Sequence, residues 1–152
     1  MFFTLLFYLL SSTFLSPAYC TDFAFDMDLY LLKPLSVNNT SDIVFPEVIK
    51  GLASSITSDQ SGVGGLLGHS ASFSVTGEPM KSYTISGYSN GLPMHGPSGK
   101  TITASLTITG GDSRALDSSG EDSFQVKGQV LLDDTCLPGS YDGSISLVMS
   151  YN

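Results

Sequence analysis

Apolar residues recur at every second position in segment after segment of this chain, and Gly, Pro, Asn and Ser separate the segments. Alternation of this kind sorts side chains onto the two faces of a strand, so a sheet with one buried face is the expected product. The cleanest runs are residues 23–31, with large apolar side chains at every odd position, then Ala71–Thr76, Ser82–Ser86 and Thr101–Ile108. The closing strand is residues 141–151, with Ile145, Leu147 and Met149 on one face and Ser144, Ser146, Val148 and Ser150 on the other. Leu35-Ser36-Val37 resumes an edge strand after Pro34, residues 38–42 read as a turn, and Ile43-Val44-Phe45 is a short strand stopped by Pro46. Residues 124–127 and 130–132 make a further strand, bulged at Gly128. Residues 48–56 allow at most a weak helical turn, and residues 57–70, 87–99 and 110–123 read as loops. About seven strands with turn signals between them, and no strong helix, predict an all-β, antiparallel β-sandwich in a single domain.

The first 15 residues are outside this rhythm. They carry no charge and are mostly Phe, Leu, Tyr, Ser and Thr, as in the apolar core of a secretory signal. Ser16-Pro17-Ala18 supplies small residues for a signal peptidase, so the expected signal peptide is residues 1–18, with position 20 as the alternative end. The basic residue that normally precedes such a core is missing. The expected domain is residues 19–152, exported through the Sec machinery, with no membrane span in the mature chain. Its predicted location is the periplasm in transit, then the cell surface, a fimbrium or the medium.

Two cysteines allow one bridge. If Cys20 survives cleavage, pairing it with Cys136 closes a loop worth about 4–5 kcal/mol in the chain-entropy model. Cleavage after residue 20 leaves Cys136 a lone thiol. The net charge of −8 argues against nucleic acid, because phosphate contacts need a basic surface.

Several short patterns imitate catalytic motifs. Gly87-Tyr88-Ser89-Asn90-Gly91 has the spacing of a nucleophile elbow, but that motif needs a helix directly after it, and Leu92-Pro93-Met94-His95-Gly96-Pro97 cannot form one. Gly96 to Thr101 ends like a phosphate-binding loop, yet Met94 stands where the first glycine belongs, and a strand follows. His69 and His95 lie in Gly-rich loops without paired metal-ligand spacing, even with Cys136 added. Asp112, Asp117, Glu121 and Asp122 read as a solvated acidic loop lacking the regular alternation of a calcium loop. The expectation is therefore a protein that is not an enzyme, with no cofactor and no metal.

Two longer segments are more specific. Residues 71–79 (Ala-Ser-Phe-Ser-Val-Thr-Gly-Glu-Pro) with Tyr83-Thr84-Ile85, and the ending from Pro138 through Gly139-Ser140-Tyr141-Asp142-Gly143 to Tyr151-Asn152, resemble bacterial domain-of-unknown-function 4402 proteins. Pro34-Leu35-Ser36-Val37 followed by Ile43-Val44-Phe45 is similar to that family's opening, although Pro46 replaces the usual Gly after the aromatic residue. Spore coat protein U-like pilin subunits share much of the pattern. The resemblance implies export, an immunoglobulin-like (pilin-like) sandwich, and kinship with fimbrial subunits of Gram-negative bacteria.

The residues themselves fit a fibre subunit. The sequence ends directly after its last predicted strand, so that edge is expected to stay uncovered, and an uncovered edge is a template for another chain. The segment bearing Phe23, Phe25, Met27, Leu29 and Leu31 has the alternation of a donated strand. Tyr141, Ile145, Leu147, Met149 and Tyr151 are the expected accepting elements. The same N-terminal segment serves equally as this domain's own first strand. Expected partners are like subunits and a periplasmic chaperone. The alternative function is a monomeric secreted or surface-displayed binding module that uses the Gly-rich loops at 57–70 and 87–99.

Overall fold

The computed structural model describes residues 28–88 and 91–152. Cys20, Phe23, Phe25, Met27, Ser89 and Asn90 lie outside the described residues, as does the expected signal peptide. By internal packing, Asp28 to Tyr30 belong to an N-terminal unit and Leu31–Asn152 to a second, and the fold below is that of the second.

Its strands are β1 (Ser36–Ser41), β2 (Ser55–Thr57), β3 (Ala71–Thr76), β4 (Ser82–Ser86), β5 (Leu92–His95), β6 (Thr101–Ile108), β7 (Ser113–Ala115), β8 (Glu121–Leu131) and β9 (Val148–Tyr151). The larger sheet runs β1-β3-β8-β6-β5, with β2 continuing beside the far end of β8, and the smaller runs β7-β4-β9. Every pairing is antiparallel. The chain crosses between sheets after β3, β4, β6, β7 and β8, so the fold is an all-β sandwich. Among the described residues no helix is long and apolar enough to cross a membrane.

Alternation explains the long strands. Along β8, Phe124, Val126, Gly128 and Val130 are buried while Gln125, Lys127 and Gln129 are exposed. The expected bulge at Gly128 is absent: Leu106 pairs with Gly128 and Thr107 with Lys127 in unbroken register. Gly128 occupies an inward position, and the Phe45 ring lies on it so closely that a Cβ there would stand 2.5 Å from the ring's Cζ. The glycine serves close approach, not a break in pairing.

Tertiary pairing also recruits strands from segments that read as loops. Residues 57–70 begin inside β2, residues 87–99 contain β5, and residues 110–123 contain β7 and the start of β8. These short additions bring the described strands to nine, where the sequence predicts about seven. The expected turn at 38–42 is mostly β1, and its turn chemistry survives at the end of that strand. Asn39 Nδ2 donates to Asp42 Oδ1 at 2.6 Å, Ser41 N–H donates to Asn39 Oδ1 at 3.2 Å, and the register shifts between Asn39 and Ser41. Residues 43–45 hold only a single bridge, Val44 to His69, and residues 48–56 form no helix. Of the expected closing strand, residues 141–151, Val148–Tyr151 pairs with β4 and Asp142 makes a single bridge to His95.

The main core lies between the sheets, where Val75, Ile108, Phe124 and Val126 meet Tyr83 and Ile85 of the smaller sheet. A second cluster, Leu92, Ala104 and Val130, belongs to the larger sheet alone, and Phe45, Met94, Ile102, Leu106 and Leu132 pack on it. Three strands therefore cover only part of the larger sheet's apolar face.

Candidate functional site

Where cover is missing there is an apolar groove. Leu35, Val37, Ile43, Phe45, Phe73, Leu92, Met94 and Leu106 line it from the larger sheet's side, and Tyr141, Ile145, Leu147 and Met149 from the C-terminal segment. Its volume is about 730 Å³. Among the described residues, β1 pairs only with β3 and β9 only with β4, so each has one unpaired backbone edge. Residues 143–147 belong to no strand at all. An apolar trough flanked by unpaired strand edges can take up an extended chain, which supplies both ladder hydrogen bonds and side chains for the pockets.

The expected accepting residues divide cleanly. Tyr141, Ile145, Leu147 and Met149 all line the groove, and Tyr151 does not. Along β9, Met149 and Tyr151 are half-buried while Val148 and Ser150 face solvent, so the expected face assignment holds there. Tyr141 is fixed by its own loop: its hydroxyl donates to the Leu137 carbonyl and accepts from the Leu137 N–H, both at 3.0 Å. The Tyr151 hydroxyl donates to the Lys33 carbonyl at 2.8 Å and accepts from the Glu78 N–H at 2.7 Å. Of the expected donor, Leu29 and Leu31 are among the described residues; both lie in non-strand backbone, 84% and 79% exposed.

Sequence reasoning missed the opposite wall. Phe45, Phe73, Leu92, Met94 and Leu106 come from four separate segments, and no local pattern marks them as one surface. Val37 on β1 was the available signal, since an edge strand with one apolar residue amid Ser and Asn must turn that residue inward. A second hollow of about 840 Å³, lined by both apolar and charged residues, adjoins the groove, sharing Phe45, Met94 and Tyr141 and reaching Cys136. Cys136 is buried, and its thiol lies 3.5 Å from Asp133 Oδ1. The bridge to Cys20 involves a residue outside the described ones.

Of the nucleophile-elbow look-alike, Ser89 and Asn90 lie outside the described residues. Gly87 leads toward β5, and Pro97–Gly99 is a short 3-10 turn followed by β6. His69 is held by backbone bonding to Val44, and His95 Nδ1 lies 3.3 Å from Thr101 Oγ1. Among the described residues no three His, Cys, Asp or Glu side chains gather as a metal site would require.

The acidic segment at 110–123 resolves into structure. Asp117 accepts the Ser119 and Glu121 N–H groups across a turn. Asp122 faces inward, taking two bonds from Arg114 at 2.6 and 2.9 Å and one from the Tyr83 hydroxyl at 2.8 Å. Burial by itself raises the Asp122 carboxyl, and the bonds from Arg114, Tyr83 and Ser123 outweigh it, leaving the group below its usual value. Burial and then the Asp122 bond push the Tyr83 phenol up to about 12.

The family model described as "Domain of unknown function (DUF4402)" matches residues 35–151, from the lead-in of β1 through the end of β9. No curated protein matches the chain.

Proposed function

The chain belongs to the domain of unknown function 4402 family, and we propose that it is a non-enzymatic exported structural protein, a fimbrial or cell-surface fibre subunit joined to like copies by strand complementation. The observation that carries this reading is the groove between β1 and the C-terminal segment. Residues 35–43, which flank one side of it, span the same number of residue steps as residues 23–31. An extended segment rises about 3.3 Å per residue, so the two lengths match. Phe23, Phe25, Met27, Leu29 and Leu31 of a second copy would face the apolar lining, while Ala24, Asp26, Asp28 and Tyr30 face solvent.

Export through Sec and passage through the periplasm fit the uncharged N-terminal stretch. A periplasmic chaperone would cover the same groove before assembly, because an open apolar trough between unpaired edges invites uncontrolled association.

The test is assembly followed by gel filtration and electron microscopy. Deleting residues 23–31 is expected to abolish polymerisation, and a synthetic peptide of those residues to bind the truncated chain. Leu147→Asp is expected to lower peptide binding at least tenfold, since it places a carboxylate in the trough. Fibres formed by the truncated chain would overturn the reading. So would a full-length monomer indifferent to the peptide, which favours the binding module instead.

A further inference from the structure

The groove is closed at one end. Its lining stops at Leu35 and Met149, and beyond them the Tyr151 side chain crosses from β9 to the lead-in of β1. The Tyr151 hydroxyl bonds the Lys33 carbonyl and the Glu78 N–H at once. Gly77 makes room for it: a Cβ there would collide with the hydroxyl and crowd Leu116 at 2.9 Å and Leu35 at 3.0 Å. The two edges are therefore tied together at this end. At the other end, residues 143–147 leave the ladder and Asp42 and Asp142 stand exposed.

We propose that Tyr151 is the register stop for an incoming strand. The inference rests on the strand-accepting reading above. A slip by one residue would turn the donor's apolar side chains to solvent and is excluded by burial alone. A slip by two is different. Phe23, Phe25, Met27, Leu29 and Leu31 are all large and apolar, so each can replace its neighbour in a pocket with little change in burial. The alternation does not choose among such registers, and a fixed wall does. A strand slipped toward the closed end would drive a side chain into the Tyr151 ring and break its bonds to Lys33 and Glu78.

Disulfide trapping tests this on the full-length protein. Val37, which lines the groove, is replaced by Cys in a Cys20→Ser, Cys136→Ser background. Peptides of residues 22–33, each with one Cys in place of Phe23, Phe25, Met27, Leu29 or Leu31, are added in excess under a glutathione redox buffer. The expected result is one dominant adduct position. With Tyr151→Ala or Tyr151→Leu, the adduct two residues away is expected to rise at least fivefold, while Tyr151→Phe keeps the single position. Comparable adducts at two positions in the parent would overturn the register stop without any Tyr151 variant. An unchanged single position in a folded Tyr151→Ala or Tyr151→Leu protein would also overturn it, as would spreading in Tyr151→Phe. Absence of every adduct would instead remove the strand-accepting reading itself.

Discussion

At the residue scale the most consequential side chain in the sandwich is Asp122. It carries the Arg114 ion pair and the Tyr83 hydroxyl, with Arg114 stacked 5.7 Å above the Phe124 ring. Asp122→Asn is expected to cost about 2–3 kcal/mol at neutral pH, read by urea unfolding, because it leaves a charged guanidinium without its partner. The pH dependence has a fixed sign. The folded carboxyl titrates below its unfolded value of about 3.9, so its contribution is complete above that pH and lost as pH falls through the folded value. Tyr83 works in the other direction: its folded phenol is raised, so its contribution is complete below about pH 10 and lost as pH climbs toward about 12. Unfolding midpoints measured from pH 2 to 12 are expected to fall at both ends, and Asp122→Asn to flatten the acid limb. None of this was legible in the sequence. Asp122 sits among three other acidic residues there, and only the β7–β8 geometry lifts it out of solvent and onto Arg114.

At the scale of elements, long alternation was readable and short pairing was not. β3, β4 and β6 lie where the two-residue period puts them. β2, β5 and β7 have three or four residues each, too few for a period to register, and they exist because a long neighbour offers them an edge. β1 is the reverse case: its Asn and Thr signal a turn, and pairing with β3 overrides them on an exposed edge where the polar side chains find local partners, Asn39 on Asp42 and Thr40 on the Ser72 carbonyl. Gly128 was misread for a related reason. A glycine inside a strand marks either a bulge or a close approach, and only the position of Phe45 decides between them. Gly128→Ala is expected to destabilise by about 1–3 kcal/mol through overpacking, without breaking the β6–β8 ladder. Because Phe45 also lines the groove, the same substitution should weaken binding of the 23–31 peptide. Thermal denaturation and peptide titration on one preparation separate the two effects, and an unshifted Phe45 with unchanged binding would disprove the link.

For the whole molecule, the decisive fact is a mismatch between sheets. Six strands present an apolar face, three strands and a C-terminal segment cover part of it, and the remainder is the groove. The sequence made the sandwich and the alternating C-terminal face legible; it did not show that Phe45, Phe73, Leu92, Met94 and Leu106 complete one trough with them, because those contacts join segments far apart in the chain. The proposed fibre follows from filling that trough with residues 23–31 of the next copy. Amide hydrogen exchange tests this most directly, comparing assembled protein with monomer at Ser36–Ser41 and Val148–Tyr151. The account predicts that amides in these strands not already bonded to β3 or β4 become strongly protected on assembly, together with those of residues 23–31. Assembly that leaves both edges exchanging as fast as in the monomer would contradict it.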